Sequence, residues 1–288
     1  MGGMEIPKKI FYKMKNINDV KKFWEENPLF VGESSLQEGT ELFFKEHTNT
    51  YISDCFPGEF DDRCFPMDIE NKNVLDLGCG IGFWIEQLSK QKPKKITACD
   101  LTENALNLSK KRCEFLSINN VEFIQGNAEE LPFKDNEFDF INCQGVIHHT
   151  PNTKKALKEI YRCLKPNGQF SISVYYKNIF LRSWPIIRPL GKIITFMGGG
   201  LKGRGRENIF SLKSQNEIVR YYDGADNPIG KAYSLNSILD LFKKTNLNIE
   251  ERFLHFFPKR ALPIKISSSL HRFLDKKFGF MIYLKGKK

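Results

Sequence analysis

The 288-residue sequence predicts an α/β protein built on a doubly wound parallel sheet. Three observations support this fold class: the alternation of two sequence patterns, a glycine-rich turn after the first apolar run, and an ordinary globular composition. Between residues 73 and 176, short apolar segments alternate with stretches whose apolar residues recur at helical spacing. Strands that alternate with helices form βαβ units, with helices on both faces of one sheet. The predicted strands are 73–77, 95–100, 121–125, 138–144 and 169–176.

Residues 1–70 precede the first strand and are predicted to be a helical extension that covers the site. Residues 17–28 and 36–47 have the amphipathic pattern of helices, and loop-like sequence then leads to the first strand. The N-terminus lacks the apolar core of a secretory signal. No apolar run is long enough to span a bilayer.

The strand and helix rhythm stops after Tyr176 and returns at Ser234, a predicted helix N-cap. The sequence between them is rich in glycine, arginine and aromatic residues, which predicts a cap insertion after the fifth strand. The chain therefore divides into an N-terminal extension, a nucleotide-binding core, a substrate-binding cap and a C-terminal return to the core sheet. Their predicted bounds are 1–70, 71–176, 177–233 and 234–288.

The stretch "VLDLGCGIGFW", residues 74–84, ends the first strand with glycines spaced G-x-G-x-G. A dinucleotide fingerprint, G-x-G-x-x-G, needs a small residue at position 83, and this chain has Phe83. Asp76 would also bring a carboxylate close to any pyrophosphate. The turn therefore favours a phosphate-free adenosine with a cationic amino-acid tail. Asp100, at the end of the second strand, suits hydrogen bonds to two ribose hydroxyls.

Five stretches, "VLDLGCGIG", "ACDLT", "GNAEELPF", "FDFINCQGVIHHTPN" and "LKPNG", resemble in order and spacing the motifs of class I S-adenosylmethionine-dependent methyltransferases. The resemblance is strongest to the ubiquinone-biosynthesis-like branch, which acts on small molecules. It covers about residues 70–176. It implies a Rossmann-like sheet of seven strands that is mostly parallel, with an antiparallel last strand for which "FGFMIYLKG" is the candidate.

Carried over by position, the resemblance implies that Asp100 binds the ribose and that Gln144 faces the methionine tail of S-adenosyl-L-methionine. Asn127 stands where the family usually has aspartate, so its contact with adenine loses charge assistance. The predicted cofactor-binding residues are Asp76, Gly78, Cys79, Gly80, Phe83, Asp100, Leu101, Asn127, Ala128 and Gln144.

Methyl transfer needs an aligned acceptor and, for some acceptors, a base. His148 follows the fourth strand and is the candidate catalytic base, although a histidine at this position can equally be a structural hydrogen-bonding group. No cysteine or carboxylate stands at ligand spacing from His148 and His149, so no metal is predicted. The sequence "QGVI" after the fourth strand lacks the motif of enzymes that methylate base amines.

The cap mixes apolar and cationic residues, which suits a lipophilic or anionic small-molecule acceptor, or one drawn from a membrane surface. A lid packed on the core with solvated cations would have the same pattern. The predicted substrate-binding residues are Arg204, Arg206, Arg220, Tyr221 and Tyr222.

The net positive charge comes from one part of the chain. Residues 177–288 contain 22 Lys and Arg against 8 Asp and Glu, a balance of +14, so residues 1–176 contain 22 against 26, or −4. Such a basic region can contact an anionic membrane or acidic substrates, or it can simply aid solubility. The alternative functions are a tRNA or rRNA methyltransferase and a non-catalytic binding protein with this fold; nucleic acid is the less favoured partner because no RNA-binding module is visible. The oligomeric state is left open.

Seven cysteines occur without metal-ligand spacing, and most lie in or beside apolar runs. This usage predicts free thiols and a cytoplasmic protein.

Overall fold

The computed structural model describes residues 15–65, 68–198, 206–259, 262 and 264–288. Within them, seven strands form one sheet in the order β3-β2-β1-β4-β5-β7-β6. The strands are β1 (Asn73–Leu77), β2 (Lys95–Asp100), β3 (Val121–Gln125), β4 (Phe138–Gln144), β5 (Leu164–Tyr175), β6 (Asn248–His255) and β7 (Met281–Lys287). The predicted fold class is confirmed.

Strands β1 to β5 are parallel, whereas β7 runs antiparallel between β5 and β6. The segment "FGFMIYLKG" is therefore the antiparallel strand that was predicted. From β1 the chain builds outward through β2 and β3, then crosses back to place β4 on the other side of β1. The carboxyl ends of β1 and β4 thus flank the switch point, where open α/β sheets bind their ligands.

Helices cover both faces of the sheet, which gives three layers. The described α-helices are α1 (Ile17–Glu26), α2 (Glu41–Asp54), α3 (Phe83–Ser89), α4 (Glu103–Phe115), α5 (Thr153–Cys163), α6 (Ile179–Arg182), α7 (Trp184–Phe196), α8 (Gln215–Tyr222), α9 (Leu235–Lys243) and α10 (Ser268–Phe278). One core cluster contains α3 and α4 side chains such as Ile85 and Leu106, and a second contains Leu157 and Phe242 from α5 and α9. The two clusters lie on opposite faces because side chains alternate along each strand.

The N-terminal extension contains two helices with defined starts. Asn16 begins α1 through a capping box with Asp19. The second helix begins later than predicted, because Gly39 has a φ of +74° and the Thr40 side chain then accepts a hydrogen bond from the Phe43 amide. A buried arginine on α4, Arg112, holds α2 against the core. Its guanidinium contacts Thr48, His47 and Glu86.

Residues 177–233 contain α6, α7, a short 3-10 helix at Arg206–Ser211 and α8. The segment leaves and rejoins the sheet at one place, since Tyr176 and Tyr233 on either side of it form an isolated parallel bridge. One face of α7 is exposed and apolar: Ile186 is 74% and Phe196 93% exposed. None of the helices in the described part of the chain has both the length and the hydrophobicity to cross a membrane.

Candidate functional site

The glycine turn after β1 is hydrogen-bonded to β2 and packs tightly against Val146, which follows β4. The backbone amides of Gly78 and Cys79 donate to the Cys99 carbonyl at 2.7 and 3.1 Å. Gly78 has a φ of +71°, and a Cβ there would lie 2.2 Å from Val146 Cγ2. The turn therefore requires glycine at position 78 for both conformation and space.

Asp100 joins the end of β2 to this turn. Its Oδ2 accepts from the Gly80 amide at 3.0 Å, and its Oδ1 accepts from the amide and hydroxyl of Thr102 at 3.0 and 2.8 Å. Burial raises the pKa of the Asp100 carboxyl, and these hydrogen bonds partly oppose the shift. The space next to Gly80 is open, because a Cβ there would meet no atom within 4 Å.

A chain of hydrogen bonds leads from a buried carboxylate to the edge of the cavity. Asn142 Nδ2 donates to Asp76 Oδ1 at 2.8 Å, and Gln144 Nε2 donates to Asn142 Oδ1 at 2.9 Å. Gln144 Nε2 also contacts the Ser171 hydroxyl at 2.8 Å. These contacts fix the amide so that its Nε2 points into the protein. Its Oε1 is buried and accepts no hydrogen bond from the described residues, so it remains available to a donor on a ligand.

Asp76 is 1% exposed, and burial raises the pKa of its carboxyl to about 7. The hydrogen bond from Asn142 opposes the shift, and the nearby Asp100 carboxylate adds to it. Near neutral pH this side chain therefore exists in both protonation states.

These elements surround a cavity of about 260 Å³. Seven of the ten predicted cofactor-binding residues line it: Gly78, Gly80, Asp100, Leu101, Asn127, Ala128 and Gln144. Side chains from α1 and α2, including Trp24 and Tyr51, cover the other side. The charged lining residues in the described ranges are the acidic Glu33, Asp54, Asp100 and Asp223, and neither lysine nor arginine lines this part.

His148, His149 and Tyr175 also line the cavity, and the ring of His148 packs against the other two. His148 is 1% exposed, and its Nδ1 has no hydrogen-bond partner in the described structure. Burial, with smaller contributions from His149 and Lys231, holds the pKa of His148 well below its usual value. Its imidazole is therefore neutral at physiological pH. The ring of His148 packs 4.4 Å from that of Tyr175, centroid to centroid.

Residues 75–172 match the family profile described as a methyltransferase domain. We call residues 75–172, which match this profile, the methyltransferase domain. The resemblance seen in the five sequence motifs is thereby confirmed for this part of the chain.

The relatives of the methyltransferase domain agree with this assignment. A demethylmenaquinone methyltransferase of Listeria welshimeri is 37% identical over 101 residues, which cover 34% of this chain and 43% of that protein. A ubiquinone/menaquinone biosynthesis C-methyltransferase of Rickettsia typhi is 42% identical over 142 residues, covering 43% of this chain and 56% of the relative. The chain thus spans about half the length of these curated relatives.

Among solved structures, the domain and its flanking elements are similar to a SAM-dependent methyltransferase from Aquifex aeolicus. The TM-score is 0.52 at 17% identity, over 84% of this chain and 95% of that one. At this identity the similarity is one of fold.

Three of the predicted cofactor-binding residues lie behind the cavity wall of the methyltransferase domain. Asp76 reaches the cavity only through the hydrogen-bond chain described above. Cys79 is buried, and its thiol lies 3.8 Å from the Gly80 carbonyl oxygen. Phe83 packs 4.3 Å from the ring of Tyr51 on α2. They support the turn rather than form its surface.

The side-chain oxygen of Asn127, predicted to accept from adenine, already accepts from the Glu129 amide at 2.9 Å. A contact with adenine would use the second lone pair of this oxygen. The backbone of Ala128 follows at the cavity wall.

Of the predicted substrate-binding residues, the structure brings Tyr222 to the cavity. Arg220 and Tyr221 do not line it. The Arg220 guanidinium instead donates to the backbone carbonyls of Ala225 at 2.8 Å and Asn227 at 2.5 Å, which fixes the turn after α8. Arg204 lies outside the described residues, and of Arg206 only the backbone, at the start of a 3-10 helix, is described.

Sequence reasoning missed Asp223, Tyr175 and Trp24 as cavity residues. Asp223 stands in turn-like sequence, and Trp24 is one aromatic residue among several in an amphipathic helix. Tyr175 ends a predicted strand, and a strand end near the switch point is the one signal that could have marked it.

Proposed function

We propose that the chain is a methyltransferase that uses S-adenosyl-L-methionine and acts on a small-molecule acceptor. The observation that carries this proposal is the shared cavity. It joins the glycine turn, Asp100 and Gln144 of the methyltransferase domain to the pocket of His148 and Tyr175. Cofactor and acceptor would thus meet in one cavity, where they can be aligned for in-line transfer.

The residues at the turn fit this cofactor. The open space at Gly80 admits a ligand close to the backbone, and the uncommitted Oε1 of Gln144 suits the α-ammonium group. Asp100 would accept hydrogen bonds from the ribose hydroxyls, and Asn127 with the backbone of Ala128 would hold the adenine. When bound, the cofactor supplies an electrophilic methyl group.

His148 remains our candidate base. A neutral imidazole accepts a proton without first losing one, and the lowered pKa keeps His148 in that form across physiological pH. The same low pKa limits its strength as a base. His148 would therefore contribute most as a base when the proton that it removes from the acceptor is already acidic.

The acceptor class that fits best is a neutral, lipophilic ring compound. Aromatic and apolar residues, among them Tyr51, Tyr283, Phe256 and Met281, line the cavity together with His148 and Tyr175, and we call this group of residues the acceptor end. The similar proteins from Listeria and Rickettsia are named for demethylmenaquinone and ubiquinone chemistry. The RNA and non-catalytic alternatives are not favoured.

A lipophilic acceptor suits an enzyme that touches membranes, and we propose such a contact for α7. Ile186, Leu190, Ile193 and Met197 share one exposed face of this helix, next to Phe196. The sequence from Ile179 to Gly198 contains Arg182, Arg188 and Lys192 and no acidic residue. An apolar face flanked only by cations is typical of helices that lie on anionic membranes.

Vesicle sedimentation tests this contact. We expect the protein to bind vesicles that contain phosphatidylglycerol, to bind phosphatidylcholine vesicles less, and to be released by salt. Phe196→Ser should weaken binding, whereas the control Leu42→Ser, at an exposed apolar position on α2, should not. Equal binding by both variants would contradict the proposed face.

We propose a cytoplasmic location. The seven cysteines support it because they lack metal-ligand spacing and most lie in or beside apolar runs, a usage typical of a reducing compartment.

Calorimetry with S-adenosylhomocysteine and NAD tests the cofactor assignment. We expect the first to bind and the second not to bind. Asp100→Ala should weaken binding by about 1 to 3 kcal/mol, the cost of losing hydrogen bonds to a charged group. The exposed Glu114→Ala is the control. NAD binding, or wild-type affinity in Asp100→Ala, would overturn the assignment.

Mass spectrometry of a lipid and metabolite extract incubated with enzyme and cofactor tests the activity. The expected result is a new product heavier than its precursor by one methylene group.

A further inference from the structure

Helix α10 turns polar side chains toward the core and apolar side chains toward solvent. His271 and Asp275, one turn apart on the helix, are buried. Leu270 and Phe273 lie on the other side of the helix and are exposed. A helix that only packs against its own core has the reverse pattern, with its apolar stripe on the inside. The inverted pattern of α10 raises the question of what covers its outer face.

The inward polar residues of α10 hold a strand end that reaches the cavity. His255 Nδ1 lies 2.7 Å from Asp275 Oδ2, and His271 Nε2 lies 2.7 Å from the Phe257 carbonyl oxygen. Between these two contacts stands Phe256, which lines the cavity and has a φ of +70°. Phenylalanine rarely adopts this conformation, so contacts on both sides of it help to maintain it. Helix α10 is thus joined to the acceptor end of the cavity.

The apolar surface of α10 continues onto α6. The ring of Phe278 lies 6.1 Å from that of Phe273 and 5.5 Å from that of Phe180, centroid to centroid. Asn178 Nδ2 donates to the Phe278 carbonyl oxygen at 2.8 Å, which ties the start of α6 to the end of α10. Ile179, the first residue of α6, is exposed. The exposed apolar surface of α10 therefore extends to the helix that precedes α7 in the chain.

The charge of the outer side of α10 is positive. Arg272, Lys276 and Lys277 are exposed beside the apolar stripe. Asp275 is the only acidic residue of this helix, and it is buried against His255. Cations that flank an exposed apolar stripe are typical of helices that lie on anionic membranes. The outer face of α10 therefore complements an anionic lipid surface in both charge and hydrophobicity.

We propose that the outer face of α10, together with Ile179 of α6, docks on an anionic membrane surface. This inference extends the membrane contact proposed for α7 and rests on it, because both helices would meet the same bilayer. Two linked contacts bind a surface far more tightly than either contact alone. Since α10 holds Phe256, docking would also place the acceptor end of the cavity near the lipid.

Vesicle sedimentation that compares Phe273→Ser with Phe115→Ser tests the apolar part of this face. The two phenylalanines are matched in exposure, at 53% and 49%. Phe115 ends α4, which packs on β2 and β3, at the opposite end of the sheet from β6 and α10. We expect Phe273→Ser to weaken binding to phosphatidylglycerol vesicles about five- to tenfold, because a half-exposed ring can no longer be buried in lipid. Phe115→Ser should bind as the wild-type protein does.

A second pair of variants tests the cations of α10. Lys276→Gln combined with Lys277→Gln should weaken vesicle binding at low salt by about fivefold for each lysine. Lys110→Gln combined with Lys111→Gln is the matched control, since these are two adjacent exposed lysines on α4. The control should have little effect. The difference between the two double variants should shrink as salt is raised.

The inference is overturned if Phe273→Ser and the Lys276 and Lys277 variant bind vesicles as tightly as the wild-type protein. If Phe196→Ser alone then weakens binding, the contact of α7 stands without α10, whereas a wild-type protein that binds no anionic vesicles contradicts both contacts. Sedimentation velocity tests the other occupant. A dimer that Phe273→Ser dissociates, with vesicle binding unchanged, would assign the face to a second copy of the chain.

Calorimetry with S-adenosylhomocysteine on the same proteins separates this inference from the methyltransferase function. The α10 variants should bind S-adenosylhomocysteine as the wild-type protein does, because none of the substituted residues lines the cavity. Failure of the wild-type protein to bind it would contradict the proposed cofactor. Retained cofactor binding without any effect of the α10 variants on vesicle binding contradicts only the role of α10.

Discussion

Replacing Asp76 with asparagine should make the stability of the ligand-free protein less sensitive to pH. The folded protein holds the pKa of this carboxyl at about 7, compared with 3.8 for the unperturbed group. The native state therefore binds a proton more tightly than the unfolded chain does. The contribution of Asp76 to the free energy of unfolding is therefore greatest below the pKa of the unfolded state, and it is lost as pH rises toward the pKa of the folded state.

Linkage gives the magnitude. Compared with low pH, where the carboxyl is protonated in both states, the raised pKa of Asp76 destabilises the wild-type protein by about 2 kcal/mol at pH 5 and about 4 kcal/mol at pH 8, at 1.36 kcal/mol for each pKa unit. Asparagine does not titrate. The difference in unfolding free energy between variant and wild type should thus shift by about 2 to 3 kcal/mol in favour of Asp76→Asn from pH 5 to pH 8. The constant cost of burying the new amide cancels in this comparison.

Urea denaturation followed by circular dichroism, on both proteins across this pH range, measures the shift. Asp139→Asn is a useful control, because the pKa of Asp139 is lowered by Lys165 and the Asn73 amide, against the effect of its burial. A difference between Asp76→Asn and wild type that does not change with pH would refute the reasoning. The same substitution should weaken binding of S-adenosylhomocysteine, since the chain from Asp76 through Asn142 orients Gln144.

Three further predictions concern the supports of the cavity. Arg112→Met should destabilise the protein by about 3 to 5 kcal/mol in urea denaturation, because Glu86 loses its buried partner, and adding Glu86→Leu should recover much of this loss. Gly78→Ala should abolish cofactor binding in calorimetry, and Val146→Ala in the same protein should restore part of it by removing the nearest clash. Glu25→Ala should lower both Tm and cofactor affinity, because the Glu25 carboxylate caps the first amides of α4 and holds α1 beside the cavity.

Each of these has a contrary outcome. Full stability of Arg112→Met would mean that water reaches Glu86. Wild-type cofactor affinity in Gly78→Ala would show that the turn can move away from Val146. For Glu25 the neighbouring exposed Glu26→Ala is the control, and equal effects of the two substitutions would assign the change to net charge.

The parallel core was predictable because its signal is local. Each strand from β1 to β4 is a short apolar run, and the glycine turn carries its own spacing, so both could be located without knowledge of the rest of the chain. The start of β5 was the exception. It begins at Leu164 rather than at residue 169, because the segment with Pro166 pairs beside β4 across a register shift.

The acceptor end was not predictable because its contacts join distant parts of the chain. Asp223 meets Tyr175 and His149 only once the insertion has folded back onto the sheet, and no spacing in the sequence encodes that meeting. Arg220 illustrates the opposite error. Its charge suggested a contact with a ligand, but its guanidinium donates hydrogen bonds to two backbone carbonyls of the turn that follows α8. A cation in a glycine-rich and polar turn satisfies local acceptors first.

The single point at which residues 177–233 meet the cavity has a consequence for how such an enzyme can diversify. The insertion begins and ends beside one bridge between Tyr176 and Tyr233, so its interior can vary in length and sequence while the strand order of the sheet is unchanged. Of the described residues of the insertion, only Tyr222 and Asp223, at the end of α8, line the cavity. Changes confined to this turn can therefore alter one wall of the cavity while the predicted cofactor-binding residues stay the same. An engineered protein could exchange the whole insertion, and Tyr176 and Tyr233 mark the two positions at which the exchanged segment should begin and end.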